Sequence, residues 1–544
     1  MNGAQLFVAA LENEGVDRIF ALPGEENLDL LEALRTSKIQ LVLVRHEQAA
    51  AFMAATYGRL TGKPGVCLST LGPGALNLAT GAAYALLGAM PMVMITGQKG
   101  ILSSRQARFQ IVDTIAAMKP LTKLSQQVVS GALVPTLVRE AFRVATSERP
   151  GPVHLELPED IAGAQCEATP LIPISEAPLP APSELALERA VEIIRAAKKP
   201  LLMFGAAASR PRSTEALAKF VQHTRIPFFT TQMGKGTVGG ASELYLGTAA
   251  LSERDYVHEA IERADVIVTI GHDTAEKPPF LMGPSGPQVI HIGYLPAHVE
   301  QVYFPQTEVI GDVSTTLELL GARLEGKVPN AEALRGLQKG ILERIGARAT
   351  EDRFTPQRLV HDIRAVMPED GVLALDNGMY KIWFARNYRT RMANTLLLDN
   401  ALATMGAGLP SAMTVSMLYP KRRVMAVCGD GGFMMNSQEL ETAVRLKLNV
   451  VVLVLEDHAY GMIRWKQAVD HFPDFGMTFN NPDFVKYAEA YGAKGHRVSA
   501  IGEFKPTLER AFTEGGVHLV VVPIDYTENT RVLVDELKQR LPVE

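Results

Sequence analysis

The chain has 544 residues, which is too long for one hydrophobic core and predicts several domains. Its composition, 47% hydrophobic and 21% charged with a formal net charge of −5, is typical of a globular protein and excludes a disordered or fibrous one. The longest basic run is Lys421-Arg422-Arg423, so the sequence lacks the clustered cations that nonspecific nucleic-acid binding needs. Three cysteines form neither a disulfide framework nor a CxxC metal site, and we expect a reducing, cytoplasmic location.

The first third of the chain alternates helical and strand-like hydrophobic patterns. We expect helices at 5–14, 28–35 and 47–61, and strands at 18–21, 39–44, 66–70, 92–96 and 153–156. Apolar strands that alternate with helices predict a parallel sheet covered on both faces. Residues 64–98 carry no charge, but Gly72-Pro73-Gly74 and Pro91 interrupt them, so we expect a buried subunit interface and no membrane helix.

The same pattern recurs twice more along the chain. Five prolines between Pro170 and Pro182 exclude helix and predict an extended linker, and a charged helical stretch around 331–352 predicts a second one. Further strands are expected at 201–204, 266–270, 289–292, 372–375, 395–398, 424–427, 450–455 and 519–523, and further helices at 185–197, 437–447 and 483–491. The sequence therefore predicts an α/β fold of three open parallel-sheet domains in series, at 1–168, 184–325 and 350–544.

The strongest chemical pattern follows the strand at 424–427, where the chain reads Gly429-Asp430-Gly431-Gly432. Ligands of open parallel sheets bind beyond the carboxyl ends of the strands. Glycines there let backbone N–H groups approach a phosphate, and Asp430 fits such a site if it holds a cation that bridges to the phosphate oxygens. The alternative is a tight turn in which Asp430 caps a helix.

A second carboxylate follows the next strand, which ends at Glu456-Asp457. The 27 positions from Asp430 to Asp457 accommodate one crossover helix and a return strand, so both side chains should lie at neighbouring strand ends. Two carboxylates and a backbone carbonyl, completed by diphosphate oxygens and water, suit Mg²⁺.

These motifs resemble the cofactor signature of the thiamine-diphosphate-dependent enzymes, and they are most similar to those of the acetolactate synthases. The resemblance is carried by residues 429–433 and 457–463 and extends to 20–24, 45–52, 58–65, 72–77, 109–110, 404–406 and 439–443. Residues 291–296 and 311–312 are similar to those of the catabolic, flavin-independent branch. The resemblance implies that the three domains are pyrimidine-binding, central and diphosphate-binding, in that order.

The resemblance also implies roles for single residues. Asp430, Asp457 and the carbonyl of Ala459 match the metal ligands. Glu47 matches the glutamate that shares a proton with N1′ of the aminopyrimidine and so favours its imino form. Glu47 and Gln110 are the two residues that the resemblance implies as catalytic. Without the resemblance, Glu47 reads as a glutamate that interacts with a helix dipole.

Further residues match the cofactor and substrate pockets of the family. Met405 matches the apolar residue that holds the cofactor in a bent shape. Ala403 matches the residue whose carbonyl accepts a hydrogen bond from the cofactor's amino group. Without the resemblance, Met405 is equally well explained as an ordinary core residue. The other residues implied at the cofactor are Gly24, Gly72, Asn77, Gly378, Met379, Tyr380, Gly429, Gly431, Gly432, Tyr460, Gly461 and Met462. Phe109 and Ile463 match substrate positions.

Two positions depart from the family pattern. Glu26 stands where flavin-independent relatives usually carry lysine. Lys466 stands where flavin-containing relatives carry tryptophan, and it is either a carboxylate-binding cation or a solvated lysine. The central-domain residues 291–296 and 311–312 argue against bound FAD, although the sequence does not exclude it.

The sequence-based hypothesis is a thiamine-diphosphate- and Mg²⁺-dependent enzyme that decarboxylates pyruvate and joins the product to a second pyruvate, giving 2-acetolactate. The lack of an adjacent His-His pair favours ligation over aldehyde release. The alternatives are a related decarboxylase or carboligase with another acceptor, and a noncatalytic protein with the same fold. The resemblance implies a homodimer or homotetramer with active sites between subunits, and we expect no nucleic-acid or membrane partner.

Overall fold

The computed structural model describes residues 1–102, 107–167, 170–175, 178–240, 242–347 and 349–538. Within these ranges the strands form three six-stranded sheets, and their pairings are parallel. The predicted α/β fold with three parallel sheets is therefore confirmed. No helix in the described part of the chain has the length and hydropathy of a membrane span.

The chain folds into two compact units. The first comprises Met1–Pro178, Met413–Leu418 and Asn436–Leu446, and the second comprises Leu179–Ala412, Tyr419–Met435 and Lys447–Glu544. The second unit contains two of the three sheets. The domain boundaries at 168, 184, 325 and 350 stay predictions.

The sheet of the first unit has the strand order β2-β1-β3-β4-β6-β5. Its strands are β1 Arg18–Leu22, β2 Gln40–Leu43, β3 Gly65–Ser69, β4 Met92–Gln98, β5 Leu124–Gln127 and β6 Pro152–Pro158. The helices are α1 Gly3–Asn13, α2 Leu28–Arg35, α3 Glu47–Thr61, α4 Gly72–Asn77, α5 Ala79–Leu87, α6 Thr114–Met118, α7 Val134–Thr146 and α8 Glu159–Gly163. The uncharged segment 64–98 thus forms two strands with two helices between them.

The second sheet has the order β12-β11-β10-β7-β8-β9. Its strands are β7 Pro200–Phe204, β8 Phe228–Thr230, β9 Tyr245–Thr248, β10 Val266–Ile270, β11 Gln288–Gly293 and β12 Thr307–Ile310. The accompanying helices are α9 Glu184–Ala196, α10 Thr214–Thr224, α11 His258–Arg263, α12 Val313–Leu324 and α13 Leu337–Gly346.

The third sheet has the order β14-β13-β15-β16-β18-β17. Its strands are β13 Val372–Leu375, β14 Leu396–Leu397, β15 Val424–Gly429, β16 Val450–Glu456, β17 Lys494–Arg497 and β18 Val517–Pro523. The helices from residue 356 onward are α14 Pro356–Val366, α15 Tyr380–Asn387, α16 Gly408–Leu418, α17 Asp430–Asn436, α18 Glu439–Arg445, α19 Gly461–Val469, α20 Phe484–Ala490, α21 Ile501–Glu514 and α22 Glu536–Lys538.

The predicted strands are present, and five strands were missed: β5, β8, β9, β12 and β17. Four of them lie at sheet edges, where one neighbour is absent and a continuous apolar run is not required. β5 and β17 read Leu-Ser-Gln-Gln and Lys-Gly-His-Arg, which carry no strand-like hydrophobic pattern. β8 has three residues, too few to show a period.

The start of helix α3 is held by residues from far along the chain. Glu439 on α18 is fully buried, and its carboxylate oxygens accept the backbone N–H of Arg45, 394 positions away, at 3.0 and 3.2 Å. The hydroxyl of Thr442 donates to the same carboxylate at 2.7 Å. Beside it, Asn436 donates to the side chain of Gln48 at 2.9 Å. All of these residues belong to the first unit, so α18 fixes the turn that leads into Glu47.

Burial of Glu439 predicts a pH-dependent stability. Burial raises the pKa of Glu439 from 4.5 to about 7, because the charged form loses solvation. The folded protein then holds a proton that the unfolded chain releases, so stability should fall as pH rises from about 4.5 to about 7, by roughly 3 kcal/mol. In Glu439→Gln this decline should disappear from the pH dependence of the thermal midpoint. Glu192→Gln, which removes an exposed carboxylate on α9, is the control, and parallel wild-type and Glu439→Gln curves would contradict the assignment.

Candidate functional site

A cavity of about 290 Å³ lies in the second unit at the carboxyl ends of β13, β15 and β16. Every residue predicted at the cofactor or substrate in the last third of the sequence lines it: Gly378, Met379, Tyr380, Ala403, Met405, Gly429, Asp430, Gly431, Gly432, Asp457, Ala459, Tyr460, Gly461, Met462 and Ile463. Four further residues complete the wall: Asn377, Lys381, Leu455 and Tyr526. The cavity has the position expected for a ligand of an open parallel sheet.

The strand register brings the two predicted acids together. Gly429 pairs with Leu455 across β15 and β16, so Asp430 and Asp457 leave adjacent strands at the same edge. The Oδ2 atom of Asp430 accepts the backbone N–H groups of Asp457 at 3.2 Å and His458 at 2.8 Å. Asp430 is also the first residue of α17 and is 1% exposed. The acid therefore serves as a turn residue and as part of the cavity wall at once.

The charge arrangement in this part of the cavity favours a cation. Burial and the neighbouring carboxylate of Asp430 raise the pKa of Asp457. A divalent cation would relieve the repulsion between the two carboxylates. In the described ranges no group of three or more His, Cys, Asp or Glu side chains is arranged to hold a metal, so a metal here needs ligands from the backbone and from a bound molecule.

The backbone around Ala459 is held in a fixed position. The N–H of Tyr460 donates to the carbonyl of Met477 at 3.0 Å, and that of Phe479 donates to the carbonyl of His458 at 3.0 Å. Ala459 lies between these two bonds and is 4% exposed. This arrangement fits the predicted role of its carbonyl as a metal ligand.

Glycines in the cavity wall pack closely against neighbouring side chains. A Cβ atom on Gly432 would lie 2.6 Å from Oδ2 of Asp376, and one on Gly461 would lie 2.5 Å from Oδ2 of Asp457. On Gly431 it would lie 2.9 Å from the ring of Tyr460. Close packing therefore excludes a side chain at all three positions, and a strand-end backbone beside two carboxylates fits a metal-diphosphate group.

The remaining predicted residues lie in the first unit, and most surround the loop after β3. Glu47 is the first residue of α3 and is 6% exposed, and Asn77 donates to its Oε2 at 3.0 Å. A Cβ on Gly74 would lie 3.1 Å from Oε1 of Glu47. Gly72 has a φ of +46°, and a Cβ there would lie 2.6 Å from the carbonyl oxygen of Gln110.

Two more predicted residues occupy the same region of the first unit. Gly24 packs so closely on Thr70 that a Cβ would lie 2.5 Å from its hydroxyl. Phe109 is 63% exposed, which leaves its side chain available to a substrate or a second chain.

Two residues that hold the cavity wall in place were missed by sequence reasoning. Asp376, 1% exposed, follows β13 directly as Asp430 follows β15, and this shared position was the available signal. It accepts the N–H of Gly406 at 2.8 and 3.0 Å, and burial raises its pKa to about 6. Asn481 donates to Oδ2 of Asp430 at 2.8 Å, and no local pattern marks it.

Comparison with known proteins gives the family. Models of thiamine pyrophosphate enzymes match the chain in order: the N-terminal TPP binding domain at 1–117, the central domain at 187–320 and the C-terminal TPP binding domain at 376–522. The catabolic acetolactate synthase of Raoultella terrigena is 34% identical over 536 residues, which cover 97% of this chain and 96% of the relative. The chain belongs to the thiamine-diphosphate-dependent enzymes.

Other relatives of this enzyme are similarly distant. Acetolactate synthase of Bacillus subtilis strain 168 is 32% identical over 542 residues, covering 98% of this chain and 95% of the relative. The large subunit of acetolactate synthase isozyme 2 of Escherichia coli K12 is 32% identical over 541 residues, covering 98% and 97%. The thiamine-diphosphate enzyme described here is thus related to acetolactate synthases, and its assignment to the catabolic type stays a prediction.

The structure explains one of the two departures from the family pattern. Glu26 is buried, and its Oε1 lies 2.5 Å from Nζ of Lys99, which directly follows β4. The hydroxyl of Thr70 donates to the other carboxylate oxygen at 2.5 Å. Burial raises the pKa of Glu26, but hydrogen bonds from Lys99 and Thr70 lower it by more, so that the pKa of this carboxyl lies below its usual value. The acid at position 26 is therefore accompanied by a cation from another strand end.

The second departure is at the surface of the thiamine-diphosphate enzyme. Lys466 is exposed on α19, and its ammonium lies 4.9 Å from the centre of the Trp465 ring. This contact is a cation–π interaction on the solvent side, which favours the interpretation of Lys466 as a solvated lysine.

Breaking the buried Glu26–Lys99 pair should destabilise the first sheet. Lys99→Met leaves a buried carboxylate without its cation, and we expect a loss of about 3 kcal/mol. Glu26→Gln/Lys99→Met should recover most of it because neither charge remains. Thermal midpoints and hydrogen exchange of β3 and β4 measure the effect.

The matched control for this experiment is Arg35→Met, which breaks the Arg35–Glu32 pair at 66% exposure of both side chains. It should change stability by less than about 1 kcal/mol. Equal losses in Lys99→Met and Arg35→Met would show that the buried pair has no special role.

Proposed function

We propose that the chain is a thiamine-diphosphate- and Mg²⁺-dependent carboligase that decarboxylates pyruvate and joins the two-carbon product to a second pyruvate, giving 2-acetolactate. The observation that carries this proposal is the position of Asp430 and Asp457 at adjacent strand ends, in a glycine-walled cavity. The similarity to acetolactate synthases over nearly the whole chain supports the reaction.

The second unit would hold the metal and the diphosphate. The carboxylates of Asp430 and Asp457 and the carbonyl of Ala459 are the proposed Mg²⁺ ligands. The backbone N–H groups of segment 429–432 and of residues 378–380 would bind phosphate oxygens, since both segments line the cavity at strand ends. Met405 and Ala403 would shape the wall against which the rings lie.

The proposed acid–base group is Glu47. Its carboxylate is buried and oriented by Asn77, which are the conditions that proton exchange with a bound aminopyrimidine would require. When bound, thiamine diphosphate supplies a carbon nucleophile for the carbonyl carbon of the 2-oxo acid and accepts the electrons left by carbon dioxide. Gln110 is proposed as a second catalytic residue, with Phe109 and Ile463 at the substrate.

We infer a homodimer or homotetramer in which Glu47 of one protomer serves the cavity of its partner, the usual arrangement in this family. The uncharged segment 64–98 supplies a fitting surface, since it exposes Leu76 next to the predicted pyrimidine residue Asn77. We propose that no flavin is required.

A different acceptor is the second candidate function. The Glu26–Lys99 pair near Gly24 motivates it, because the family pattern is altered where a 2-oxo acid is expected to bind. Incubating the purified protein with pyruvate, thiamine diphosphate and Mg²⁺ and analysing the products decides between them. Acetolactate supports the proposal, whereas acetaldehyde alone, or a product that requires an added aldehyde, supports the alternative.

Removing the acid–base carboxyl should abolish turnover while leaving the cofactor bound. Glu47→Gln keeps the size and the contact with Asn77 but cannot exchange a proton, so we expect kcat to fall by two to four orders of magnitude. Calorimetry should show thiamine-diphosphate affinity within about threefold of wild type. Unchanged turnover would refute the assigned role.

The metal ligands predict a graded response at position 457. Asp457→Asn keeps an oxygen ligand and should weaken Mg²⁺ binding by less than about tenfold, whereas Asp457→Ala should weaken it at least a hundredfold. Chelation by EDTA should release thiamine diphosphate, and added Mg²⁺ should restore binding. Equal affinities of the Asn and Ala variants for Mg²⁺, measured by calorimetry with the cofactor present, would contradict ligation by Asp457.

A further inference from the structure

The loop of residues 399–406, which we call the Ala403 loop, is fixed by two buried aspartates in the second unit. Asp399, 3% exposed, accepts the N–H of Ala401 with Oδ1 at 3.0 Å and the N–H of Ala403 with Oδ2 at 2.6 Å. At the other end, Asp376 accepts the N–H of Gly406. Both carboxylates therefore serve to hold backbone groups of one short loop.

Ala403 is in an unfavourable backbone conformation at the cavity. Its φ is +54°, in the left-handed region, which costs an alanine about 1 kcal/mol relative to ordinary helix or strand geometry. Such residues persist only where the surroundings over-determine them, and they cluster at functional sites. The short bond to Asp399 is made by the N–H of this same residue, so the carboxylate directly offsets the strain.

The loop is also tied to the opposite wall of the cavity. Lys381, on α15 and 6% exposed, donates from Nζ to the carbonyl of Asp399 at 2.8 Å and to Oδ1 of Asn400 at 3.4 Å. Asn377 donates to the carbonyl of Thr404 at 2.8 Å. Because Asn377 and Lys381 flank Gly378, Met379 and Tyr380, the two predicted cofactor segments form one hydrogen-bonded assembly.

We propose that Asp399 is a positioning residue whose carboxylate keeps Ala403 in the left-handed conformation and so preforms the part of the cavity wall made by Ala403 and Met405. This inference rests on the proposed function, since it assigns the preformed wall to thiamine diphosphate. A wall that is already ordered lowers the entropy cost of binding. Asp399 itself is not among the residues that line the cavity.

Glycine provides a selective test, because it adopts positive φ without steric cost. Asp399→Ala should weaken thiamine-diphosphate binding at least tenfold, as measured by calorimetry with saturating Mg²⁺. Adding Ala403→Gly to that variant should recover at least threefold of the loss, because the left-handed conformation then no longer needs the carboxylate. A role of Asp399 in general stability alone predicts an equal recovery from glycine at any other strained alanine.

The chain offers a matched control for the glycine substitution. Ala89 has a φ of +53° and lies outside the cavity, in the first unit. Ala89→Gly in the Asp399→Ala background should leave cofactor affinity unchanged. The proposal would be overturned if Ala89→Gly restored cofactor affinity as much as Ala403→Gly does. It would also be overturned if neither substitution restored any affinity.

A second measurement covers the case in which Asp399→Ala fails to fold. Asp399→Asn keeps the size of the side chain but weakens the bond to Ala403, so the amide hydrogen of Ala403 should exchange at least tenfold faster in cofactor-free protein. Unchanged exchange would overturn the proposal. If the wild-type protein fails to bind thiamine diphosphate, the proposed function is refuted together with the role of Asp399. If the wild-type protein binds it normally but Ala403→Gly does not restore affinity in Asp399→Ala, only the role of Asp399 is refuted.

Discussion

The structure depends on one constraint, which is that adjacent parallel strands end side by side and bring two acids to one edge. Asp430 follows β15 and Asp457 follows β16, and their contact through backbone N–H groups fixes the geometry before any ligand binds. Placing two carboxylates so close in a buried position is costly, and burial together with the neighbouring charge raises the pKa of Asp457. A bound cation would offset the repulsion of such a pair, and this would connect the strand register to the chemistry proposed for the enzyme.

Much of this arrangement was predictable from local patterns. Continuous apolar runs identified β13, β15 and β16, and the residues that follow buried strands must lie at the carboxyl edge of the sheet. The same reasoning gave the cavity-lining segment 429–432 and Asp457, whereas the cavity-lining residues at 378–380, 403, 405 and 459–463 were implied by the family resemblance. The roles assigned to Glu47 and Gln110 came from the family resemblance and remain proposals, although the structure places Asn77 against Glu47.

Other features had no local signal. A buried aspartate such as Asp399 looks like a surface aspartate in sequence, because its partners are backbone N–H groups whose approach is set by the tertiary fold. Glu439 contacts Arg45 across 394 positions, which no spacing rule reaches. Edge strands such as β5 and β17 were missed because they consist mostly of polar residues and show no hydrophobic pattern. The cation beside Glu26 comes from another strand end.

Buried carboxylates perform the same task in both units. Glu439 holds the turn before Glu47, Asp376 and Asp399 hold the Ala403 loop, and Asp430 holds the turn at His458, each by accepting backbone N–H groups. A carboxylate suits this task because its two oxygens accept several bonds, and charge-assisted bonds to backbone N–H groups are short and strong. The cost is desolvation, visible in the raised pKa values of Glu439 and Asp376. Loops fixed in this way lose little further freedom when a cofactor binds, so more of the binding free energy is left for holding the cofactor in a reactive shape.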